Sequence, residues 1–403
     1  MSKHAITPKE IQAAADALAE DIVRTSCSFS RTLSTITGVS IFIKSEIEQF
    51  TASFKERGAL NKLRGLSAAA AKRGVVAMSA GNHALALAYH ARRLHIPATL
   101  VMPLATPTVK AEDTRRFGAT VVLKGQSLSD AAAHARELEN ELGLTFVHPY
   151  DDLDVIRGQG TIAIEMLDQQ KDLEILVVPI GGGGLIAGMA IAAKSINPSI
   201  RIIGVEAERY ASMKQALAGE PIVCGSSTLA EGIAVKEPGA FTLPIVRDLV
   251  DEIQLVTEEH LERAMLMLLE IEKTVVEGAG AAGLAAVLAH PATYANKRTG
   301  IVLTGGNVDL MPLAFIMHRG LVRAGRLVRL RVSVPDRPGA LHQVTRCLDR
   351  TNVNIVEVYH QRAFSGLPLQ TTQIEFVLLT HGRAHLDELL AVLLHEGYEP
   401  EIL

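Results

Sequence analysis

The sequence predicts an α/β fold with a parallel sheet over most of the chain, followed by a small antiparallel α/β module. From about residue 38 to 320, short β-branched runs alternate with Ala- and Leu-rich helical patterns such as NHALALAYHARRL (82–94) and TEEHLERAMLMLLEI (257–271). The runs are apolar without strict alternation, which is typical of strands that are covered on both faces. The predicted strands are VSIFIK (39–44), GVVAMS (74–79), ATLVMP (98–103), ATVVLK (119–124), ILVVPI (175–180), IRIIGVE (200–206) and TGIVLT (299–304). Ligands of such sheets bind at the carboxyl ends of the strands, so a functional site is expected there.

The pattern changes near residue 320. HRGLVRAGR (318–326) is basic and contains glycine, which predicts a linker over 321–326. VRLRVSV (328–334) then alternates with period two, as in an antiparallel strand with one wet face. The segments that follow complete a β-α-β-β-α-β order, the ferredoxin-like pattern, over 327–403. We therefore expect a separate small domain at the C-terminus.

Length and composition limit the functional classes. A chain of 403 residues is expected to form two or three domains, and 48% hydrophobic with 21% charged residues describes a soluble globular protein. The net charge of −4 and the lack of a long basic run argue against a nucleic-acid partner. No stretch is apolar enough to span a membrane, and no leader is expected because Thr7 and Pro8 form a helix start. Three scattered cysteines favour a reducing, cytoplasmic compartment: Cys27, Cys224 and Cys347.

SFKERGAL (53–60) carries the first candidate residue, Lys55. Ser53 and Glu56 have the S-x-x-E spacing of a capping box, which predicts that a helix begins at Ser53. Lys55 then lies in the first turn, where the helix dipole disfavours a cation. Its stem could lie along the surface with the amine in water. Alternatively, it is a neutral nucleophile that can form a Schiff base.

Two further strand ends have anion-binding features. In SAGNHALAL (79–87), backbone amides and the Asn82 side chain could hold a carboxylate, although an ordinary strand–helix turn explains the segment equally well. GGGGL (181–185) lies between a buried strand and a helix, so its N–H groups can approach an anion. This segment matches neither G-x-G-x-x-G nor a P-loop.

The last two segments are less specific alone. LTGGN (303–307) presents the Thr304 hydroxyl at a strand end, and VVEGAGAAGLAAVL (275–288) places Glu277 before small residues that permit close helix packing. Turn chemistry or packing explains each in isolation. Together, however, the segments provide a lysine for an aldehyde, glycines for a phosphate and a hydroxyl for a ring nitrogen. This combination points to pyridoxal phosphate, whose ring is an electron sink.

With these motifs in this order, residues 1 to about 320 resemble the fold-type II pyridoxal-phosphate enzymes, specifically the threonine/serine dehydratase (threonine ammonia-lyase) group. The resemblance implies a catalytic domain over 1–320 with two parallel-sheet subdomains, the smaller over about 50–145. The tail, 327–403, resembles an ACT domain, with DRPGAL at its first strand–helix turn.

The resemblance also implies the roles of individual residues. Lys55 forms the Schiff base and removes the Cα proton, Phe54 flanks the cofactor, Asn82 bonds its ring hydroxyl, and Thr304 faces the pyridine nitrogen where the family usually has Ser. The phosphate is surrounded by Gly181, Gly182, Gly183, Gly184 and Leu185. The substrate carboxylate is held by Ser79, Ala80, Gly81, Asn82 and His83.

The implied reaction is β-elimination from L-threonine, and from L-serine, to a 2-oxo acid such as 2-oxobutanoate and ammonia. L-Serine or 3-hydroxyaspartate as the preferred substrate stays open. Serine racemases of this fold have a similar loop with the sequence S-S-G-N-H, whose second Ser protonates the opposite face of Cα. This chain has Ala80 at that position, which predicts little racemisation. Glu206 matches the first ligand of a cation site in some relatives, but a later ligand is replaced by Ser212, so no metal is expected. Glu206 could equally be a solvated strand-end residue.

The ACT resemblance implies an amino-acid effector, such as isoleucine or valine, near Gly339 and Asn354 at a contact of a homodimer or homotetramer. A purely structural dimerisation domain is the alternative. Two other classes compete for the whole chain. One is an inert amino-acid sensor, which intact Lys55, the glycines and Thr304 disfavour. The other is a nicotinamide dehydrogenase, which GGGGLIAG does not support because it lacks G-x-G-x-x-G and the later acidic residue.

Overall fold

The computed structural model describes residues 5–361 and 370–403, and the chain divides into two compact units between Val308 and Asp309. In the described part of the first unit the strands are β1 (Cys27–Phe29), β2 (Ser40–Ser45), β3 (Val75–Met78), β4 (Ala98–Met102), β5 (Thr120–Leu123), β6 (Thr145–Phe146), β7 (Ile175–Pro179), β8 (Arg201–Ala207), β9 (Glu252–Val256) and β10 (Arg298–Leu303). Its α-helices are α1 (Pro8–Leu18), α2 (Arg31–Thr37), α3 (Lys55–Arg64), α4 (Ala68–Arg73), α5 (Asn82–Arg93), α6 (Thr108–Arg116), α7 (Leu128–Leu142), α8 (Leu153–Gln169), α9 (Gly184–Ile196), α10 (Ser212–Ala218), α11 (Thr242–Leu249), α12 (Glu258–Ile271), α13 (Gly278–Ala289) and α14 (Pro291–Tyr294).

Two sheets organise the first unit. The six-stranded sheet has the order β1-β2-β10-β7-β8-β9 and is parallel except for β1, which pairs with β2 antiparallel. The four-stranded sheet has the order β5-β4-β3-β6 and is parallel throughout. All seven strands predicted from apolar runs are present, so the predicted parallel α/β architecture is confirmed.

Each sheet has its own apolar core. Strands β7 and β8 pack with α8, α9 and α11, where Leu176, Ile186 and Val246 are fully buried. Strands β3 and β4 pack with α3 and α5, where Val75 and Leu87 are fully buried.

Two helix starts test the predicted caps. The start at Thr7 is confirmed: its side chain accepts from the Glu10 N–H, and the Thr7 N–H donates 2.7 Å to the Glu10 carboxylate. The capping box at Ser53 is wrong. Helix α3 begins at Lys55 without a side-chain cap, because Ser53 is extended and bridged to Gly305. The Glu56 carboxylate is used elsewhere: it accepts from the Thr51 N–H and lies 3.0 Å from His90 Nε2.

The second unit contains the predicted ferredoxin-like module. Its elements are α15 (Leu310–Arg323), β11 (Leu327–Pro335), α16 (Ala340–Arg350), β12 (Asn354–Gln361), β13 (Thr371–Leu379), α17 (Arg383–His395) and β14 (Pro400–Ile402). The strands form an antiparallel sheet in the order β12-β13-β11-β14. Alternation in β11 is confirmed, since Val328, Leu330, Val332 and Val334 are buried and the residues between them face outward or are half-buried.

The segment 318–326 differs from the expected linker. Helix α15 continues through Arg323, so the predicted linker begins inside a helix. Gly320 is buried and does not break this helix, since a single glycine in a helix interior costs only about 1 kcal/mol. The chain turns only at Gly325, whose φ of 63° is in the left-handed region. None of the helices in the described residues is long and apolar enough to cross a membrane.

Candidate active site

Lys55 is the first residue of α3, where the chain leaves the six-stranded sheet. Its Nζ donates a hydrogen bond of 2.7 Å to the Pro149 carbonyl and lies 5.0 Å from the centre of the Phe54 ring. Burial lowers the pKa of Lys55 to about 8, although the nearby Glu277 carboxylate acts in the opposite direction. A substantial neutral fraction near physiological pH makes this amine a competent nucleophile and proton acceptor.

The position of Lys55 is tied to the end of β10. The Phe54 N–H donates 3.0 Å to the Thr304 carbonyl, and Ser53 is bridged to Gly305. Thr304 itself is buried. The SFKERGAL and LTGGN segments, which are about 250 positions apart in the sequence, therefore meet at one point of the structure.

Asn82, at the start of α5, belongs to a chain of side-chain hydrogen bonds. Its Nδ2 donates 2.8 Å to Glu277 Oε1, and its Oδ1 accepts 2.8 Å from Asn307 Nδ2. Asn307 Nδ2 also donates 2.8 Å to the Thr51 carbonyl. Both sides of the Asn82 amide are thus fixed, which sets its orientation in the site.

Glu277 is the acidic group of this hydrogen-bond chain. Burial raises the pKa of Glu277 to about 7, and the hydrogen bond from Asn82 opposes that change. With this raised pKa, the carboxyl group changes between its protonated and ionised forms near neutral pH. This behaviour is typical of functional sites rather than of surface carboxylates.

The loop Ser79–His83 connects β3 to α5. Helix α5 begins after Gly81 without a side-chain cap, so its first N–H groups point toward the loop. Burial lowers the pKa of His83 to about 3, and its Nε2 donates 3.1 Å to the Val147 carbonyl. A carbonyl only accepts, so Nδ1 carries the lone pair. This buried Nδ1 has no hydrogen-bond partner among the described residues.

The glycine segment 181–184 forms the turn between β7 and α9. Gly183 has a φ of 92° and precedes α9, which begins without a side-chain cap. A Cβ at Gly182 would overlap the Tyr150 ring, and one at Gly184 would lie 2.6 Å from the Tyr150 carbonyl. Only glycine fits against Tyr150 at these two positions. Such a turn suits a phosphate.

Contacts around these residues link the candidate segments into one site. Lys55 contacts Pro149, the neighbour of Tyr150, and Tyr150 lies against the glycine segment. A Cβ on Gly305 would meet both Glu277 and Asn82. An amine of lowered pKa, a phosphate-binding turn, uncapped helix starts and a buried hydroxyl thus fit a phosphorylated aldehyde that takes up an amino acid.

Sequence reasoning missed several residues of this site. Pro149, Tyr150 and Asn307 were not predicted, and Glu277 was assigned to packing. HPYDD (148–152) matches no motif, so nothing in the sequence distinguishes Tyr150. For Glu277 the sequence did contain a signal of a functional role, since a charged residue is rarely placed next to a run of small apolar residues that pack in a core.

Glu206 has a structural role in the described residues. It is buried at the end of β8, and its carboxylate accepts 2.8 Å from the Met213 N–H and 3.0 Å from the Lys214 N–H, at the start of α10. The Ser212 hydroxyl donates 2.7 Å to the Val235 carbonyl. The interpretation of Glu206 as a solvated residue is therefore wrong. No group of three or more metal-ligating side chains is found in residues 5–361 or 370–403.

In the second unit, Gly339 and Asn354 occupy exposed positions. Gly339 precedes α16 with a φ of 90°, and Asn354 is the first residue of β12. Their assignment to an effector site stays a prediction.

A prediction follows from the two shifted groups of the site. In the cofactor-free protein, acylation of the Lys55 amine should increase with pH around a midpoint near 8, below that of an ordinary lysine. Glu277→Gln removes a carboxylate that favours the ammonium form, so the midpoint should move to lower pH. Peptide mass spectrometry after labelling over a pH series measures it. Glu174→Gln is the control, because Glu174 pairs with Lys297 at the surface. An unchanged midpoint in Glu277→Gln would contradict the coupling.

Comparison with known proteins agrees with this geometry. Residues 18–305 match the family described as pyridoxal-phosphate dependent enzyme, and residues 328–394 match the ACT domain. An L-threonine ammonia-lyase of Thermotoga maritima is 43% identical over 400 residues, which cover 99% of this chain and 100% of that protein.

Solved structures show the same fold. A processed threonine deaminase isoform of Solanum lycopersicum superposes with a TM-score of 0.74 at 34% identity, covering 79% of this chain and 90% of that one. Maize serine racemase gives a TM-score of 0.74 at 36% identity, covering 79% and 99%. The chain belongs to the pyridoxal-phosphate dependent enzymes, in the group that contains the threonine ammonia-lyases, and carries a C-terminal ACT domain.

Proposed function

We propose that the chain is an L-threonine ammonia-lyase that converts L-threonine to 2-oxobutanoate and ammonia. The observation that carries the proposal is the Lys55 amine, whose pKa of about 8 and position beside Thr304, Glu277 and Pro149 suit a reacting lysine. Full-length similarity to an L-threonine ammonia-lyase supports the choice of substrate.

The residues of the site would hold the cofactor through several kinds of contact. Lys55 would bind its aldehyde carbon, with Phe54 beside its ring. The N–H groups of Gly181, Gly182, Gly183, Gly184 and Leu185 would hold its phosphate, while Asn82 and Thr304 would bond the ring hydroxyl and the ring nitrogen. When bound, pyridoxal phosphate supplies an electron-withdrawing ring that accepts charge from the substrate Cα.

The other steps belong to the chain itself. We infer that Ser79, Ala80, Gly81, Asn82 and His83 hold the substrate carboxylate at the uncapped start of α5. Neutral Lys55 Nζ, once free of the cofactor, accepts the Cα proton. Thr304 offers a neutral hydroxyl rather than a carboxylate to the ring nitrogen. With the cofactor bound, this neutral hydroxyl would leave the ring nitrogen less firmly protonated than a carboxylate would, which would favour loss of the β-hydroxyl over transamination.

A substrate comparison tests the proposal. Purified enzyme with pyridoxal phosphate should release 2-oxobutanoate and ammonia in equal amounts from L-threonine, with a higher kcat/KM than for L-serine or L-3-hydroxyaspartate. A higher kcat/KM for L-serine or L-3-hydroxyaspartate would support the proposed elimination reaction but show that L-threonine is not the preferred substrate. No ammonia from any of them would contradict the proposal.

The loop position Ala80 gives a prediction about stereochemistry. An alanine has no proton to donate to the face of Cα opposite Lys55, so wild-type enzyme should form little D-serine from L-serine. Ala80→Ser restores the hydroxyl found in similar racemase loops and should raise the ratio of D-serine to pyruvate by about 10-fold or more. Chiral chromatography measures the ratio. Wild-type racemisation comparable to elimination would contradict the assignment.

We propose in addition that the C-terminal ACT domain binds a branched-chain amino acid and thereby alters activity. The exposed turn at Gly339 and the polar Asn354 side chain support this position. Calorimetry on the full-length enzyme should show saturable heat with L-isoleucine or L-valine, reduced by Asn354→Ala and absent with L-aspartate. No saturable heat with either branched-chain amino acid would contradict the proposal.

We also propose the organisation of the chain in the cell. The domains are a catalytic domain over 1–320, with the smaller subdomain over about 50–145, and an ACT domain over 327–403, joined by residues 321–326, the first three of which end helix α15. We infer that the enzyme is cytoplasmic and forms a homodimer or homotetramer. Three free cysteines agree with a reducing compartment.

A further inference from the structure

Arg57 lies two residues after Lys55 and belongs to a cluster of four charged side chains, most of them fully buried. We call it the Arg57 cluster: Lys44, Glu46, Arg57 and Glu165. The side chains of Lys44, Glu46 and Arg57 are at most 1% exposed and that of Glu165 is 17% exposed. Two cations and two carboxylates balance each other, so the cluster as a whole carries no net charge.

Arg57 is held at both edges of its guanidinium group. On one side Nε and Nη2 each donate 2.8 Å to the two oxygens of Glu46. On the other, Nη1 and Nη2 donate 2.6 and 2.9 Å to the two oxygens of Glu165. Nη1 also donates 3.1 Å to Thr161 Oγ1. Two bidentate contacts leave the group almost no freedom to rotate or shift.

The cluster connects the helix of Lys55 to the strand next to Thr304. Lys44 belongs to β2, and its Nζ donates 2.6 Å to Glu165 on α8. Glu46 directly follows β2, which runs beside β10 with Ser45 paired to Leu303, the residue before Thr304. Arg57, through Glu46, therefore fixes the first turn of α3 to the strand end that carries Thr304.

Helix α8 completes this attachment at close range. A Cβ at Gly158 would lie 2.5 Å from the Arg57 carbonyl, so glycine is needed where the backbones of α8 and α3 meet. Glu165 lies two turns further along α8 and reaches the Arg57 side chain. The first turn of α3 is thus clamped through its backbone and through a side chain.

Stability alone is a poor explanation for such a cluster. Burying four charges carries a large desolvation cost, and well-packed apolar residues of similar size are often at least as stabilising. What the ionic arrangement adds is directionality, because bidentate contacts fix position and angle where apolar packing does not. A reacting amine requires that kind of precision.

We propose that the Arg57 cluster is a positioning device that holds Lys55 Nζ in register with the end of β10, and that Arg57 is a positioning residue for the reaction. The inference rests on the proposed role of Lys55. Its consequence is that disturbing the cluster should change the environment of Lys55 even when the protein stays folded.

The test uses Arg57→Lys, which keeps the charge but cannot form two bidentate contacts. We expect kcat for L-threonine to fall by about 10²-fold with KM nearly unchanged, as for a slightly displaced reacting group. In the cofactor-free protein, the pH midpoint of Lys55 acylation should rise toward that of an ordinary lysine, because a looser first turn admits water. Glu165→Gln removes only one charge at the more exposed edge of the cluster, so it should show the same changes to a smaller extent. This variant replaces Arg57→Lys in the test if Arg57→Lys does not fold.

Arg157→Lys is the matched control, since Arg157 lies on the same helix α8 and pairs with Glu10 and Asp154 away from Lys55. It should leave both readouts at wild-type values. Folded cluster variants with wild-type kcat and an unchanged acylation midpoint would show that the cluster only stabilises the fold, which would overturn the inference. Failure of the proposed function can be distinguished from failure of this inference, because in the former case wild-type enzyme would release no ammonia from L-threonine.

Discussion

Lys55→Ala is expected to lower kcat for L-threonine by about 10⁴-fold or more, because one change removes the group that we propose both binds the cofactor and accepts the Cα proton. The geometry explains why no neighbour should replace it. Its Nζ is set in place by the Pro149 carbonyl and by the attachment of Phe54 to Thr304. Steady-state assay of 2-oxobutanoate release measures the loss.

A lysine outside the site provides the comparison. Lys72 is exposed on α4, and Lys72→Ala should keep wild-type kcat and the wild-type absorption spectrum. In Lys55→Ala the visible band of lysine-bound cofactor should be absent although the protein is folded. Retention of more than a tenth of the wild-type kcat would show that another residue accepts the proton.

Gly182→Ala is expected to weaken pyridoxal-phosphate binding by about 10²-fold or more, since the N–H contacts that we propose for the phosphate depend on this turn. A Cβ at this position would overlap the Tyr150 ring, so either Tyr150 or the turn must move. Titration of the cofactor-free protein, followed by absorbance, gives the dissociation constant.

Gly65→Ala is the matched glycine variant, because Gly65 has an ordinary φ of −75° and a Cβ there would meet its nearest neighbour at 3.5 Å. It should bind the cofactor as wild type does. Tyr150→Ala in the Gly182→Ala background removes the ring that the new Cβ would meet and should recover part of the affinity. Wild-type affinity in Gly182→Ala itself would exclude the turn as the phosphate site.

The sequence predicted the architecture well because the relevant patterns are local. Apolar runs bounded by turns identified the strands, and alternation in β11 separated the antiparallel sheet from the parallel ones. The motifs at the ends of β3, β7 and β10 were likewise visible because ligands of parallel sheets bind at the carboxyl ends of strands, although only their combination pointed to a cofactor.

What the sequence could not provide depends on contacts between distant segments. The spacing of Ser53 and Glu56 suggested a capping box, but Ser53 is held extended by Gly305 and Glu56 contacts Thr51 and His90. Tertiary pairing overrides a local motif here. Tyr150 has no sequence signature, and Asn307 was visible only as the end of LTGGN, because the importance of each side chain arises from what folds against it. Helix α15 continues beyond the expected boundary because the single glycine at position 320 is tolerated inside it.

The most direct test of the account is the visible absorption spectrum of the purified enzyme with pyridoxal phosphate, recorded before and after addition of L-threonine. A band of lysine-bound cofactor that changes on addition of L-threonine, together with release of 2-oxobutanoate and ammonia in equal amounts, is the predicted result. Absence of that band with excess pyridoxal phosphate would contradict the assignment of Lys55 and the glycine segment 181–184 as the cofactor site.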